Sequence, residues 1–95
     1  MSDTTPTSRY SGGDGSSIEK AVVVHAPDRP SGIWAEYAWL EARFGERDVD
    51  WSCERQTLVF ADDIPFDVID VLVYAENPFD AVSVHFDTSP WFWTR

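Results

Sequence analysis

The chain has 95 residues, 43% hydrophobic and 15% aromatic, with 17 acidic against 7 basic side chains and a formal charge of −10. That apolar content excludes a generally disordered chain, and the length suits one small domain with one core. The acidity tells against direct binding to nucleic acid or to an anionic membrane surface, since both would repel it.

Residues 1–17, MSDTTPTSRYSGGDGSS, offer almost no aliphatic side chain and are predicted to form a disordered arm. They lack the apolar stretch of a signal peptide, and no apolar run in the chain is long enough to span a bilayer. Cys53 is the lone cysteine and cannot form an internal disulfide, so a cytoplasmic location is expected. A single compact domain is expected over 18–95.

AVVVH (21–25) is β-branched and reads as a short strand, closed by the Pro-punctuated loop APDRP. SGIWAEYAWLEARFG (31–45) reads as a helix with Ser31 as N-cap and Gly45 as C-cap. Arg43 and Arg47 favour the negative end of its dipole. At about 100° per residue, Ile33, Tyr37, Leu40 and Phe44 share one stripe, which is predicted to face the core. Ala35, Ala38, Trp39 and Ala42 then fall on the back of the helix, with Trp34 at its margin.

VDWSCERQTLVF (49–60) reads as a strand, ADDIP (61–65) as a turn, and FDVIDVLVY (66–74) as a central strand interrupted by Asp67 and Asp70. ENPFD (76–80) is a second turn, and AVSVHF (81–86) alternates as a strand should. The tail DTSPWFWTR gives no further strand. The order β-α-β-β-β predicts a two-layer α+β fold, one helix packed on a mainly antiparallel sheet of about four strands. The edge that the first strand joins is left open.

Residues able to carry chemistry are sparse. His25, His85 and Cys53 are isolated, without the paired spacing of a metal site, and no local signature marks a nucleophile. Acid pairs such as Asp48 with Asp50 or Asp62 with Asp63 sit where turns are expected. The GGDG at 12–15 lacks the context of a phosphate loop, and Asn77-Pro78-Phe79 reads as a β-turn. No metal, cofactor or catalytic set is expected, and the chain is not expected to be an enzyme.

Two surfaces stand out instead. Residues 1–47 carry a net charge of −2, whereas 48–94 carry −9 with Arg55 as their sole base. Asp62, Asp63, Asp67, Asp70, Glu76, Asp80 and Asp87 are therefore candidates for an anionic face that meets a basic partner. The second surface is aromatic. Trp34 and Trp39 with Ala35 and Ala42 on the helix back, and Trp91 and Trp93 in the tail, are candidate contacts, because tryptophan is enriched at interface hot spots.

The segments GSSIEKAVVV, GIWAEYAWLEARFG and HFDTSPWFW together resemble a loose group of small bacterial and phage-borne proteins of unassigned function. The resemblance covers most of the chain after residue 15, departs at ENPFD where a glycine turn would be more usual, and carries over no functional residue. It implies a bacterial or mobile-element setting. The expected function is a protein-binding module, specifically an inhibitor that blocks a basic, nucleic-acid-binding site on a partner, as anti-CRISPR proteins do. The alternatives are a structural homodimer joined through the helix back, and an immunity protein for a basic toxin nuclease.

Overall fold

The computed structural model describes residues 9–74 and 80–94. Its elements are strands β1 (Tyr10–Gly12) and β2 (Val22–Val24), helix α1 (Arg29–Phe44), strands β3 (Trp51–Ala61), β4 (Ile64–Val73) and β5 (Asp80–Asp87), and the one-turn helix α2 (Ser89–Phe92). The class is α+β, as the element order requires. The sheet differs in detail from the expectation: it has five strands in the order β1-β2-β5-β4-β3 and is mixed. β2 runs parallel to β5, with Val22 opposite Phe86, while the other neighbours are antiparallel.

The extra strand lies inside the stretch expected to be an arm. Tyr10, Ser11 and Gly12 pair with Val24, Val23 and Val22, and the Tyr10 hydroxyl donates to the Ala35 carbonyl at 2.7 Å. The segment YSG has no hydrophobic period of its own. Its strand conformation is imposed by the backbone groups of β2, which need partners. Residues 1–8, and the turn expected over 76–80 apart from Asp80, lie outside the described residues.

β3 and β4 form a long hairpin. Asp62 and Asp63 take φ of 51° and 64°, so the turn is a two-residue connection with both central residues left-handed, tighter than the expected 61–65. This geometry matches the sheet twist, and Asp adopts it more readily than most residues with a Cβ but less readily than Asn or Gly. Asn followed by Gly is the preferred pair for such a turn, so combining Asp62→Asn with Asp63→Gly is expected to stabilise the fold by about 1 kcal/mol. Differential scanning calorimetry should show a melting rise of about 4–8 °C.

α1 starts two residues before the expected cap. Asp28 is the N-cap, its carboxylate accepting from the Ser31 N–H at 3.0 Å, with Pro30 in the first turn. Gly45 ends the helix at φ 110°, ψ −153°, a conformation essentially reserved for glycine. The buried face is Gly32, Ala35, Glu36 and Leu40, with Trp39 half-buried and edge-on to Phe86 at 5.5 Å. Relative to the expected stripe the helix is turned by roughly 100°, and Ile33 is 44% exposed.

The reason is volume. The sheet supplies the bulk in Trp51, Phe86 and Ile69, each fully buried, and the ring of Trp91 lies directly on Gly32. Under the Trp91 ring the helix presents Gly32, its smallest residue, while Trp39 meets Phe86 and Leu40 fills the core beside them. Trp51 is further anchored by its indole N–H, which donates to the Gly45 carbonyl at 2.8 Å. At the other end of the sheet, Thr88 is buried and its hydroxyl donates to the Pro65 carbonyl at 2.9 Å, fixing the start of α2. The core thus lies between α1 and one face of the sheet, and α2 closes it at the N-terminal end of the helix.

Candidate functional site

Alternation along β4 places Asp67 on the same face as the core residues Ile69 and Val71. Across the sheet its neighbours are Leu58 of β3 and Phe86 of β5. Glu36 descends from α1 toward this position. It is fully buried, and neither carboxyl oxygen has a hydrogen-bonding partner of proper geometry among the described residues. Burial, and then the neighbouring Asp67 carboxylate, raise its pKa to about 10. Glu36 is therefore protonated at neutral pH.

A short polar chain runs outward from this pair. The Gln56 amide N–H reaches Asp67 at 3.4 Å, and the Gln56 carbonyl accepts from the Tyr37 hydroxyl at 3.0 Å. The same hydroxyl lies 3.7 Å from Cys53 Sγ. Burial, followed by the Cys53 thiol, raises the Tyr37 pKa to about 12. Tyr37 thus remains a neutral donor throughout the working pH range.

Asp67 and Gln56 open onto a groove of about 150 Å³ between α1, β3 and α2, whose other walls are Arg29, Ile33, Leu58, Trp91 and Phe92. Trp91 is 3% exposed and its indole N–H has no partner among the described residues. Beyond the groove, Phe60, Phe92 and Trp93 form an aromatic shelf. Phe60 meets Phe92 edge-on at 5.6 Å, and Phe92 meets Trp93 at 4.8 Å. Phe60 and Trp93 are 52% and 64% exposed, unusual for rings of this size. The shelf stands beside β3, which is a sheet edge.

The residues singled out in the sequence are scattered by the fold. Asp67 and Trp91 come together in the groove, with Trp93 on the adjoining shelf and Asp62 and Asp63 exposed at the hairpin tip. Asp70 points to the opposite face, where it accepts from the Ser83 hydroxyl at 2.6 Å. Asp87 caps the Ser89 N–H at 2.9 Å, Asp80 begins β5, and Glu76 lies outside the described residues. The acids therefore do not share one face. On α1, Ala35 is in the core and Trp39 is packed on Phe86, so neither belongs to an open helix back; Ala42 is exposed. Trp34 is 60% exposed and lines a separate cleft of about 400 Å³ with Arg9, whose guanidinium lies 5.0 Å from its ring centre.

Sequence reasoning passed over Glu36, Gln56, Leu58 and Phe60. Glu36 was legible only through its spacing, one helical turn after Gly32 and one before Leu40, once the small residues are taken as the inward ones.

The histidines lie apart from this groove, His25 in the wall of the Trp34 cleft. His25 Nε2 is 2.8 Å from the Ser11 hydroxyl, and His85 Nδ1 is 2.9 Å from the Gly15 carbonyl. Among the described residues no group of three or more His, Cys, Asp or Glu is placed to hold a metal ion. Two carboxyls with one proton between them are the material of acid–base chemistry. Here, however, the protonated member has no exposed surface, and the groove falls below the roughly 300 Å³ at which small-molecule sites begin. Its dimensions fit one side chain.

No helix among the described residues is long and apolar enough to cross a membrane. No protein-family model matches the chain. Searches of curated proteins and of solved structures likewise find no match.

Proposed function

We propose that this chain is a protein-binding module that docks a basic segment of another protein along the corner formed by β3 and α2. The observation that carries the reading is the aromatic shelf: three rings in mutual contact, two of them more than half exposed, beside a sheet edge. Aromatic side chains dominate binding energy at interfaces, and a sheet edge supplies unpaired backbone donors and acceptors. The charge selects the partner. Asp62 and Asp63 flank the shelf in sequence, Asp67 lies beside it, and the whole chain carries −10. A surface that ordinarily holds nucleic acid has the complementary charge, so the module would act as an inhibitor of such a site.

Selection against an unbiased peptide-display library tests this directly. The enriched peptides are expected to pair Lys or Arg with apolar residues, to weaken as salt rises, and to lose at least tenfold in affinity against Phe60→Ser or Trp93→Ser. Neutral peptides, or basic ones indifferent to both substitutions, would overturn the reading. Selected peptides that compete with a second copy of the chain would replace the basic partner by self-association.

A further inference from the structure

The groove has apolar walls and an acidic floor. Ile33, Leu58 and Phe92 are the walls, and Asp67 is the sole acid among the lining residues. Glu36 stands behind Asp67, fully buried; its acidic proton faces the Asp67 carboxylate, and no N–H or O–H among the described residues donates to its oxygens. Buried polar groups in native proteins are almost always paired. Acceptor oxygens without a donor, directly behind the one acid that lines the groove, suit a ligand that brings N–H donors.

Building on the docking function above, we infer that this groove seats one lysine or arginine side chain of the partner. Its methylenes lie against Ile33, Leu58 and Phe92, and its cationic head rests on Asp67 with Glu36 behind. A cationic head that leaves water needs an acid to pair with, which Asp67 supplies, and the methylenes behind it suit apolar walls. The groove's own cation, Arg29, is already engaged: its guanidinium is 4.9 Å from the Phe92 ring centre and its Nε donates to the Phe92 carbonyl at 3.1 Å. The titratable groups facing Glu36 are Asp67 of β4 and Tyr37 of its own helix, with Cys53 of β3 beyond Tyr37; α2 contributes none. A cation on Asp67 removes one of the two influences that keep Glu36 protonated, and Glu36 then gives up its proton to solvent more readily. By linkage, affinity for the cation must rise with pH.

The test uses the isolated head groups as probes. n-Butylammonium, n-butylguanidinium and 1-butanol are titrated into the full chain by NMR at matched ionic strength. The ammonium and guanidinium arms distinguish a lysine site from an arginine site. At least one cation is expected to shift the Trp91 indole and Gln56 amide signals saturably, lower the titration midpoint of the Glu36 carboxyl, and bind about tenfold more weakly to the isosteric Asp67→Asn variant. Equal shifts from 1-butanol, no shifts from either cation, or cation shifts unchanged in Asp67→Asn would overturn the assignment. Failure here alongside basic, shelf-dependent peptides from the display selection removes only this subsite. Selection of neutral peptides removes the docking function itself.

Discussion

Glu36→Gln is expected to abolish most of the pH dependence of stability between pH 5.5 and 8.5. An unfolded glutamate titrates near 4.5, whereas folding raises Glu36 to about 10. Across this window the folded state therefore holds one proton that the unfolded state has released. Stability from this group is complete below the unfolded value and is lost as pH rises toward the folded one, at up to about 1.4 kcal/mol per pH unit. The parent chain should lose several kcal/mol on going from pH 5.5 to 8.5, which is a large part of the margin of a domain this size. Glutamine has the shape of the protonated acid and no proton to lose, so its urea midpoint should be nearly flat. Parallel slopes for the two proteins would assign the effect to the general repulsion of a chain at −10 and release Glu36 from the role.

Gly32→Ala should destabilise the protein by about 3 kcal/mol or more, against the usual rule for helices. An alanine in a helix interior ordinarily gains about 1 kcal/mol over glycine. At position 32, however, a Cβ would lie 2.2 Å from two ring atoms of Trp91. The ring is 3% exposed and packed into the core cluster, so it can yield only by leaving. Expelling a buried tryptophan costs about 3–5 kcal/mol. A double-mutant cycle isolates the cause. In a Trp91→Ala background the space is free, and Gly32→Ala should become stabilising in the same urea titration. A cost that persists without the indole would place the obstruction elsewhere.

These two positions also show how far the sequence could be read. The strands past residue 50 were legible because AVSVHF alternates, FDVIDVLVY is an apolar run broken only by Asp67 and Asp70, and the Asp62-Asp63 turn sets it off from β3. The helix was legible as a helix, but its phase was not. Ile33, Tyr37 and Phe44 are the large apolar residues, and hydrophobicity alone turns them inward. What decides the phase is bulk contributed from elsewhere, above all the Trp91 ring, which only a glycine at position 32 can face. That information is spread over distant stretches of the chain and has no local trace. β1 was hidden for a related reason, since its pairing is dictated by β2 and its own three residues carry no pattern. Part of the site was visible in Asp67, Trp91 and Trp93. Glu36 was not, because a glutamate within a helix is ordinarily a solvated residue.

The long edge of β3 has a consequence for handling the protein. Natural edge strands are commonly guarded by lysine, proline or a covering segment. Here Leu58 and Phe60 are exposed, and the only cationic residue along the strand is Arg55. Mutual repulsion between acidic molecules is then the main guard against edge-to-edge aggregation. That guard vanishes near the isoelectric point of about 4.3. Acidification thus tightens each molecule through Glu36 while removing the charge that keeps its neighbours apart, so folding stability and colloidal stability are bought at opposite ends of the pH scale.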